Sequence, residues 1–173
     1  IGAGVPINDE HAAAVVDIGG GTTNVAAIIS GSIIASRAER IGSSDIDVAI
    51  MDRLRRHRGL TIGVQTAERL KLELSSAIEP EDPFKQVHVR GRDVQTGSPG
   101  AVDITAGEVY SITLPVIRRV AEEVRQLLAD LSPEVAGDIF DRGLILTGGG
   151  ASLEGLPSYL QKELGLAVRV ADE

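Results

Sequence analysis

The chain has 173 residues, a formal net charge of −8, no Cys, no Trp, and only two Phe and two Tyr. The missing cysteines exclude disulfides and zinc–thiolate sites, and the acidic charge with so few aromatic rings argues against a nucleic-acid partner. No apolar run approaches the roughly 18 residues that span a bilayer, so we expect a cytoplasmic protein. The length suits one domain with room for a smaller inserted subdomain.

Three short apolar runs open the chain, at residues 12–18, 23–29 and 32–38. Turn residues separate the runs, which is typical of antiparallel strands joined by short connections. The domain is therefore predicted to begin with three antiparallel strands.

The first turn, DIGGGTTN at residues 17–24, is a candidate phosphate site. Glycine enters positive-φ conformations without steric cost, so the triple glycine is predicted to turn successive N–H groups into one concavity. The threonine hydroxyls add donors, and the aspartate can hold a hydrated divalent cation beside the phosphate. A glycine-rich hairpin without a ligand is the alternative. The candidate residues are Asp17, Gly19, Gly20, Gly21, Thr22 and Thr23.

The middle of the chain contains two predicted helices and a hairpin. One helix begins at the Ser43-Ser44-Asp45 signal and ends near Gly59, with a basic last turn that is either a solvated helix end or a partner surface. A second helix begins at Thr66, and residues 86–90 and 101–105 form the hairpin. The predicted apolar stripe of the first helix is Ile46, Val48, Ala49, Ile50 and Leu54.

The last third begins with a capping box at Thr105 and Glu108, which starts a helix to about residue 131 that Pro115 is predicted to bend or divide. A buried strand at 144–146, a helix at 156–164 and a strand at 166–170 follow. The order of elements predicts an α/β fold, a mixed five-stranded sheet covered by helices.

A second triple glycine, at residues 148–150, follows the buried strand. In open α/β sheets, ligands bind beyond the carboxyl ends of strands, where glycine lets the backbone approach closely. Two such turns at opposite ends of a β-rich unit, one of them preceded by aspartate, are much stronger evidence for a phosphate-containing ligand than either turn alone.

These motifs resemble those of a known family. DIGGGTTN is similar to the second phosphate motif of the actin-like ATPase superfamily, and LTGGGASLEG to its adenosine motif. RIGSSDID, QTAERLKLELSSAIE, VRGRDVQTGSP and DIFDRGLILTGGGASLEGLP resemble the C-terminal half of the MreB-type bacterial actins. The resemblance implies an RNase-H-like subdomain at residues 1–60 and 106–173, with a small α+β subdomain inserted at 61–105.

The resemblance also implies which residues bind ATP and Mg²⁺. The residues of the first turn would wrap the β- and γ-phosphates, with Asp17 holding Mg²⁺ through water. The segment ERLK resembles the one that flanks adenine and ribose in the family, which implies this role for Glu68 and Lys71. They lie three residues apart on one helix face, as a shared ligand requires; an exposed ion pair is the alternative. The residues passing under adenosine would be Gly148, Gly149, Gly150 and Ala151.

Two positions depart from the family pattern: Asn24 replaces a usual acid, and Ser43 a common glycine. The family's first phosphate loop, its membrane-binding segment and the residue that orients the attacking water would lie upstream of Ile1. We therefore expect half of a longer protein, with weak nucleotide affinity and negligible turnover on its own.

The function implied is that of a bacterial actin whose ATP state controls filaments that guide cell shape and cell-wall synthesis. Its expected partners are further copies of itself and, through the missing domain, the cell-wall elongation machinery at the membrane. The lobe of a heat-shock-class chaperone ATPase shares the fold and both glycine turns, and a scaffold that has lost its nucleotide is a third reading.

Overall fold

The computed structural model describes residues 10–171, in which strands and helices form two layers around two hydrophobic clusters. In chain order the elements are β1 (Ala13–Ile18), β2 (Thr23–Ile29), β3 (Ser32–Glu39), α1 (Ser43–Arg58), β4 (Leu60–Thr61), α2 (Val64–Leu74), β5 (Gln86–Asp93), β6 (Pro99–Thr105), α3 (Ala106–Ala129), α4 (Pro133–Arg142), β7 (Leu144–Thr147), a 3₁₀ helix (Gly149–Ser152), α5 (Leu156–Leu164) and β8 (Val168–Val170).

The predicted mixed five-stranded sheet is confirmed, in the order β3-β2-β1-β7-β8. β1 pairs antiparallel with β2, and β2 with β3, whereas β7 runs parallel to both β1 and β8. Asp17, near the end of β1, lies opposite Thr147, the last residue of β7. Parallel pairing therefore brings the two glycine-rich turns to the same edge of the sheet.

Three further strands form a second, separate sheet in the order β4-β5-β6. The predicted hairpin is present, but its strands are longer than expected, and the two-residue strand β4 was not predicted. Gly91 explains part of the difference, because a Cβ there would lie 2.3 Å from the carbonyl oxygen of Thr61. A glycine that indicated a turn instead lets β5 pass close to β4.

α3 spans both hydrophobic clusters. Its first half contributes Val109 and Ile112 to the cluster formed with α1, α2 and the small sheet, and its second half packs on the five-stranded sheet. The helix is not divided at Pro115. Leu114 and Val116 pack on either side of the proline, and this burial offsets the hydrogen bond that proline cannot make.

α4 was not predicted, although its sequence carries helix signals. The Ser132 hydroxyl accepts a hydrogen bond from the N–H of Val135, Pro133 opens the helix, and Gly143 follows it. Ile139 is its buried residue, and Asp138 accepts a hydrogen bond from the N–H of Ala12 at 3.0 Å. The helix thereby covers the start of β1.

The edge strand β3 is tied to α3 by charged side chains. Arg37 contacts Glu123 at 3.2 Å and Asp130 at 3.4 Å, and Arg119 of α3 pairs with Glu39. Ile33, at the other end of the strand, is 65% exposed. Among the helices in residues 10–171, none has the length and apolar character needed to cross a membrane.

Replacing Gly143 with alanine is expected to lower the free energy of unfolding by about 3 kcal/mol. Gly143 has φ +78°, and a Cβ there would lie 2.3 Å from the carbonyl oxygen of Ala167, which accepts the N–H of Leu144. Urea denaturation of the variant beside the unmodified protein measures the change.

Gly137→Ala is the matched control, because Gly137 lies inside α4 and a Cβ there would meet no atom within 4 Å. Alanine should raise the stability at this position by about 1 kcal/mol through its higher helix propensity. Equal stability of the two variants would contradict the close packing described at Gly143.

Candidate functional site

The loop between β1 and β2 is fastened to the first turn of α1. The carbonyl oxygens of Gly19 and Gly20 accept hydrogen bonds from the N–H groups of Ser43 at 3.0 Å and Ser44 at 2.8 Å. Gly42 makes this approach possible, because a Cβ there would lie 2.4 Å from the Gly20 oxygen. The helix start and the loop are therefore one unit.

This fastening leaves backbone N–H groups directed away from α1. In a trans peptide the C=O and the following N–H point in opposite directions. Since the carbonyls of Gly19 and Gly20 face α1, the N–H groups of Gly20 and Gly21 face away from it. No residue in the described range 10–171 accepts a hydrogen bond from these groups or from the Thr22 N–H. Adjacent free N–H groups form a concavity suited to an anion.

The predicted reason for the triple glycine is wrong in one respect. None of Gly19, Gly20 and Gly21 has a positive φ. Space is the constraint at two of them: a Cβ on Gly19 would lie 3.2 Å from the Thr22 oxygen, and one on Gly20 3.2 Å from the Ser44 Oγ, so these neighbours would have to shift slightly. A Cβ on Gly21 would meet no atom within 4 Å. The loop is tight because two segments of chain pass close to each other, and its N–H groups are directed by that contact.

The two threonines of the loop have different environments. Thr22 is exposed, and its carbonyl accepts the Gly19 N–H at 2.8 Å. Thr23 is 0% exposed, and its hydroxyl donates to the Ile41 carbonyl at 2.8 Å. The prediction that the Thr23 hydroxyl contacts a phosphate is therefore corrected, because that hydroxyl connects β2 to the segment before α1.

Asp17 is exposed at the end of β1, opposite Asn24 on β2. The residues that the structure describes contain no group of three or more His, Cys, Asp or Glu side chains that could hold a metal ion. A lone carboxylate in this position fits a cation held mainly by a ligand and by water, with Asp17 outside the first coordination sphere.

The second glycine turn packs directly on the first. Gly148 has φ +82°, a conformation that glycine adopts without steric cost, and a Cβ there would lie 2.4 Å from the Asp17 Oδ1. Gly150 lies against Ile18, and Ala151 is 3% exposed. Gly149 differs, because a Cβ built on it would meet no atom within 4 Å. It faces open space.

Gly149 also lines a cleft of about 300 Å³, whose wall includes residues of both hydrophobic clusters. Gly149, Gly150, Glu68 and Lys71 share it, as predicted for one ligand, whereas the first loop borders it through Gly42. Most of its wall is apolar, which suits a flat ring, and a few polar groups can orient that ring. Its other lining residues are Ile18, Ser43, Ile46, Leu72, Ser75, Val116, Ile117, Val120, Ser152, Leu153, Glu154 and Leu156.

Glu68 and Lys71 do not pair with each other. The Lys71 Nζ lies 2.8 Å from the Asp47 Oδ2 and 3.4 Å from the carbonyl oxygen of Ser43, both on α1. Glu68 is exposed at the cleft and makes no ion pair with the described residues. An exposed ion pair between Glu68 and Lys71 was the alternative to ligand binding, and this pair is absent from the described part of the chain.

Sequence reasoning missed Asp47. It lies beside the predicted stripe of α1, yet it is 5% exposed, whereas Val48 of that stripe is 59% exposed. If the helical stripe is started at residue 47 instead of residue 46, an acid falls on the buried face of α1. Ser152 was also missed, although it follows the second glycine turn directly.

Comparisons with known proteins identify the family of the chain. A family model described as MreB/Mbl protein matches residues 1–173. The chain is 40% identical over 173 residues to the cell shape-determining protein MreB of Escherichia coli (strain K12), covering 100% of this chain and 50% of the relative. It is 36% identical over 172 residues to the cell shape-determining protein Mbl of Bacillus subtilis (strain 168), covering 99% and 51%. The chain thus spans about half the length of these relatives.

Solved structures match as well. MreB5 of Spiroplasma citri bound to ADP has a TM-score of 0.93 and 31% identity, over 99% of this chain and 52% of that one. A MamK double helical filament has a TM-score of 0.74 at 20% identity, over 93% and 50%, which shows the fold alone. The predicted actin-like fold is confirmed. Because the family model matches the whole chain, the chain belongs to the MreB/Mbl family.

Proposed function

We propose that this chain is the ATP-binding half of a bacterial actin whose filaments control cell shape and cell-wall synthesis. The observation that carries the proposal is the convergence at one sheet edge of the two glycine turns and the α2 residues Glu68 and Lys71. MreB5 of Spiroplasma citri has been solved with ADP and with AMPPNP, and the Escherichia coli relative is named for cell shape.

In this proposal the parts of the ligand are held by different chemistry. The N–H groups of Gly20, Gly21 and Thr22 bind the β- and γ-phosphates, because none of them has an acceptor in the described chain and those of Gly20 and Gly21 face away from α1. Gly149 lets adenine lie along the backbone of the second turn. Glu68 and Lys71 orient the ribose and the base at the cleft wall.

Asp17 would hold Mg²⁺ through water. The exposed carboxylate lies next to Gly148 and one residue from the first loop, so it is close to both turns. Bound Mg²⁺ neutralises charge on the phosphates and so supports phosphoryl transfer. Asn24, opposite Asp17, adds no second negative charge at this position.

Hydrolysis is proposed to need a further domain. Phosphoryl transfer depends on groups that surround the phosphate, and this chain spans half the length of its relatives. We assign the first phosphate loop and the residue that orients water to that domain. Residues 1–60 and 106–173 would form its RNase-H-like neighbour, with 61–105 inserted. The assembled filament is proposed to be cytoplasmic and membrane-associated, in contact with the cell-wall elongation machinery.

The family match over residues 1–173 favours a bacterial actin over a chaperone ATPase lobe. A scaffold that has lost nucleotide binding keeps the same fold, so only ligand binding separates it from the proposal. Calorimetry of the full-length protein with ATP and Mg²⁺ decides between them, because a scaffold would give no binding heat.

Gly149→Val should fold normally and weaken ATP binding at least tenfold. The valine side chain meets no protein atom near its Cβ but occupies the space assigned to adenine. Titration calorimetry of the full-length protein gives the affinity, and thermal unfolding without nucleotide checks the fold.

Gly63→Val is the control for the same substitution, because Gly63 is exposed, lies outside the cleft, and has no atom within 4 Å of a built Cβ. Its ATP affinity should match that of the unmodified protein. Wild-type affinity in Gly149→Val would show that nucleotide does not use this cleft.

Asp17→Asn should reduce the gain in ATP affinity that Mg²⁺ provides, while leaving the metal-free affinity nearly unchanged. The amide keeps the size of the side chain but removes the charge that attracts a hydrated cation. Titrations with and without Mg²⁺ measure the ratio, and an unchanged ratio would remove Asp17 from the cation site.

The full-length protein with ATP should pellet on ultracentrifugation and form filaments visible by electron microscopy. Gly149→Val should lose the nucleotide-dependent part of the pellet, whereas Gly63→Val should keep it. Monomers under all conditions, including with membranes, would end the filament part of the proposal.

A further inference from the structure

The ion pair between Lys71 and Asp47 is buried beside the cleft. The side chains are 13% and 7% exposed, and the Nζ and Oδ2 atoms are 2.8 Å apart. The Asp47 Oδ1 is buried and has no hydrogen-bond partner among the described residues. The carboxylate therefore depends on Lys71 for most of its compensation inside the protein.

Such a pair adds little net stability. Removing two charges from water costs about as much as their attraction returns, and an oxygen left without a partner adds a further cost. The surface pair between Asp52 and Arg56 on the same helix is exposed and carries no such desolvation cost. The main effect of the pair between Asp47 and Lys71 is to hold the Lys71 ammonium group in one position.

The position of the Lys71 ammonium is fixed relative to the first glycine turn. Lys71 also approaches the Ser43 carbonyl at 3.4 Å, and the Ser43 N–H donates to the Gly19 carbonyl at 3.0 Å. Two of the three ammonium protons are thus directed at α1, and the ammonium has one left. Lys71 lines the cleft, where a bound ligand would be the acceptor for that proton.

We infer that Asp47 is a positioning residue for nucleotide binding. It does not touch the ligand; it fixes the Lys71 ammonium at the cleft wall, at a set position from the turn that holds phosphate. It also balances the charge of Lys71, so this end of the cleft accepts a neutral hydroxyl or ring nitrogen of the nucleoside. The inference rests on the proposed function, since it concerns the same cleft.

Asp47→Asn in the full-length protein should weaken binding of ATP with Mg²⁺ about tenfold, because the ion pair that fixes the Lys71 ammonium is replaced by a weaker hydrogen bond to an uncharged amide oxygen. Lys71→Met should weaken binding at least as much. In the double variant, the Asp47→Asn change should add less than a twofold effect, since there is no ammonium left to position. Calorimetry measures all four affinities.

Asp52→Asn is the matched control, an acid on the same helix whose partner Arg56 lies on the surface. Its affinity for ATP should stay within twofold of the unmodified protein. Unfolding without nucleotide separates a structural role from positioning: if a single variant fails to fold, the double variant buries no unpaired charge and should fold again. It should still bind ATP at least tenfold more weakly than the unmodified protein.

The inference would be overturned if the effects of Asp47→Asn and Lys71→Met on ATP affinity multiplied in the double variant. Wild-type ATP affinity in Asp47→Asn or in the double variant would overturn it as well. If the unmodified full-length protein itself binds no ATP, the proposed function fails and the inference fails with it. Binding by the unmodified protein with multiplying effects removes the positioning role alone.

Discussion

Two backbone hydrogen bonds, from the N–H groups of Ser43 and Ser44 to the carbonyls of Gly19 and Gly20, determine the candidate site. They use donors at a helix start that would otherwise lack partners. At the same time they turn the opposite sides of two peptide groups outward. The surface of the loop that we propose to bind phosphate therefore results from how the loop is attached to α1, and it needs no positive φ at Gly19, Gly20 or Gly21.

Close approaches between segments of the chain explain why glycine is needed at three separate positions. Gly42 lets α1 approach the first loop, Gly148 lets the second turn pass Asp17, and Gly150 lets it pass Ile18. A side chain at any of the three would separate segments that are far apart in sequence. The cleft is bounded by these close approaches on one side and by α2 on the other, with α3 forming a wall common to both clusters.

Much of the fold follows from short-range sequence signals. Apolar runs bounded by glycine gave the strands of the main sheet, and the capping box at Thr105 gave the start of α3. The signals failed where a long-range partner decides the outcome. The sequence around Gly91 indicates a turn, but this glycine lies within a strand because β4 packs closely against it. A polar residue such as Asp47 is expected to be exposed, but it is buried because it pairs with Lys71 of another helix. Thr23 has the residue type of a phosphate ligand, but it is buried and its hydroxyl donates to the Ile41 carbonyl, a long-range contact that the sequence does not show.

The edge strand β3 illustrates a consequence of the ties between Arg37, Glu39 and α3. An edge strand exposes unpaired N–H and C=O groups that can recruit a strand from another molecule. The charged side chains of β3 that pair with α3 oppose such recruitment of a strand, because a docked strand would have to bury these side chains or displace their partners. The ion pairs of β3 thus guard against misassembly of the sheet, a role that matters most at high local concentration and owes little to folding stability.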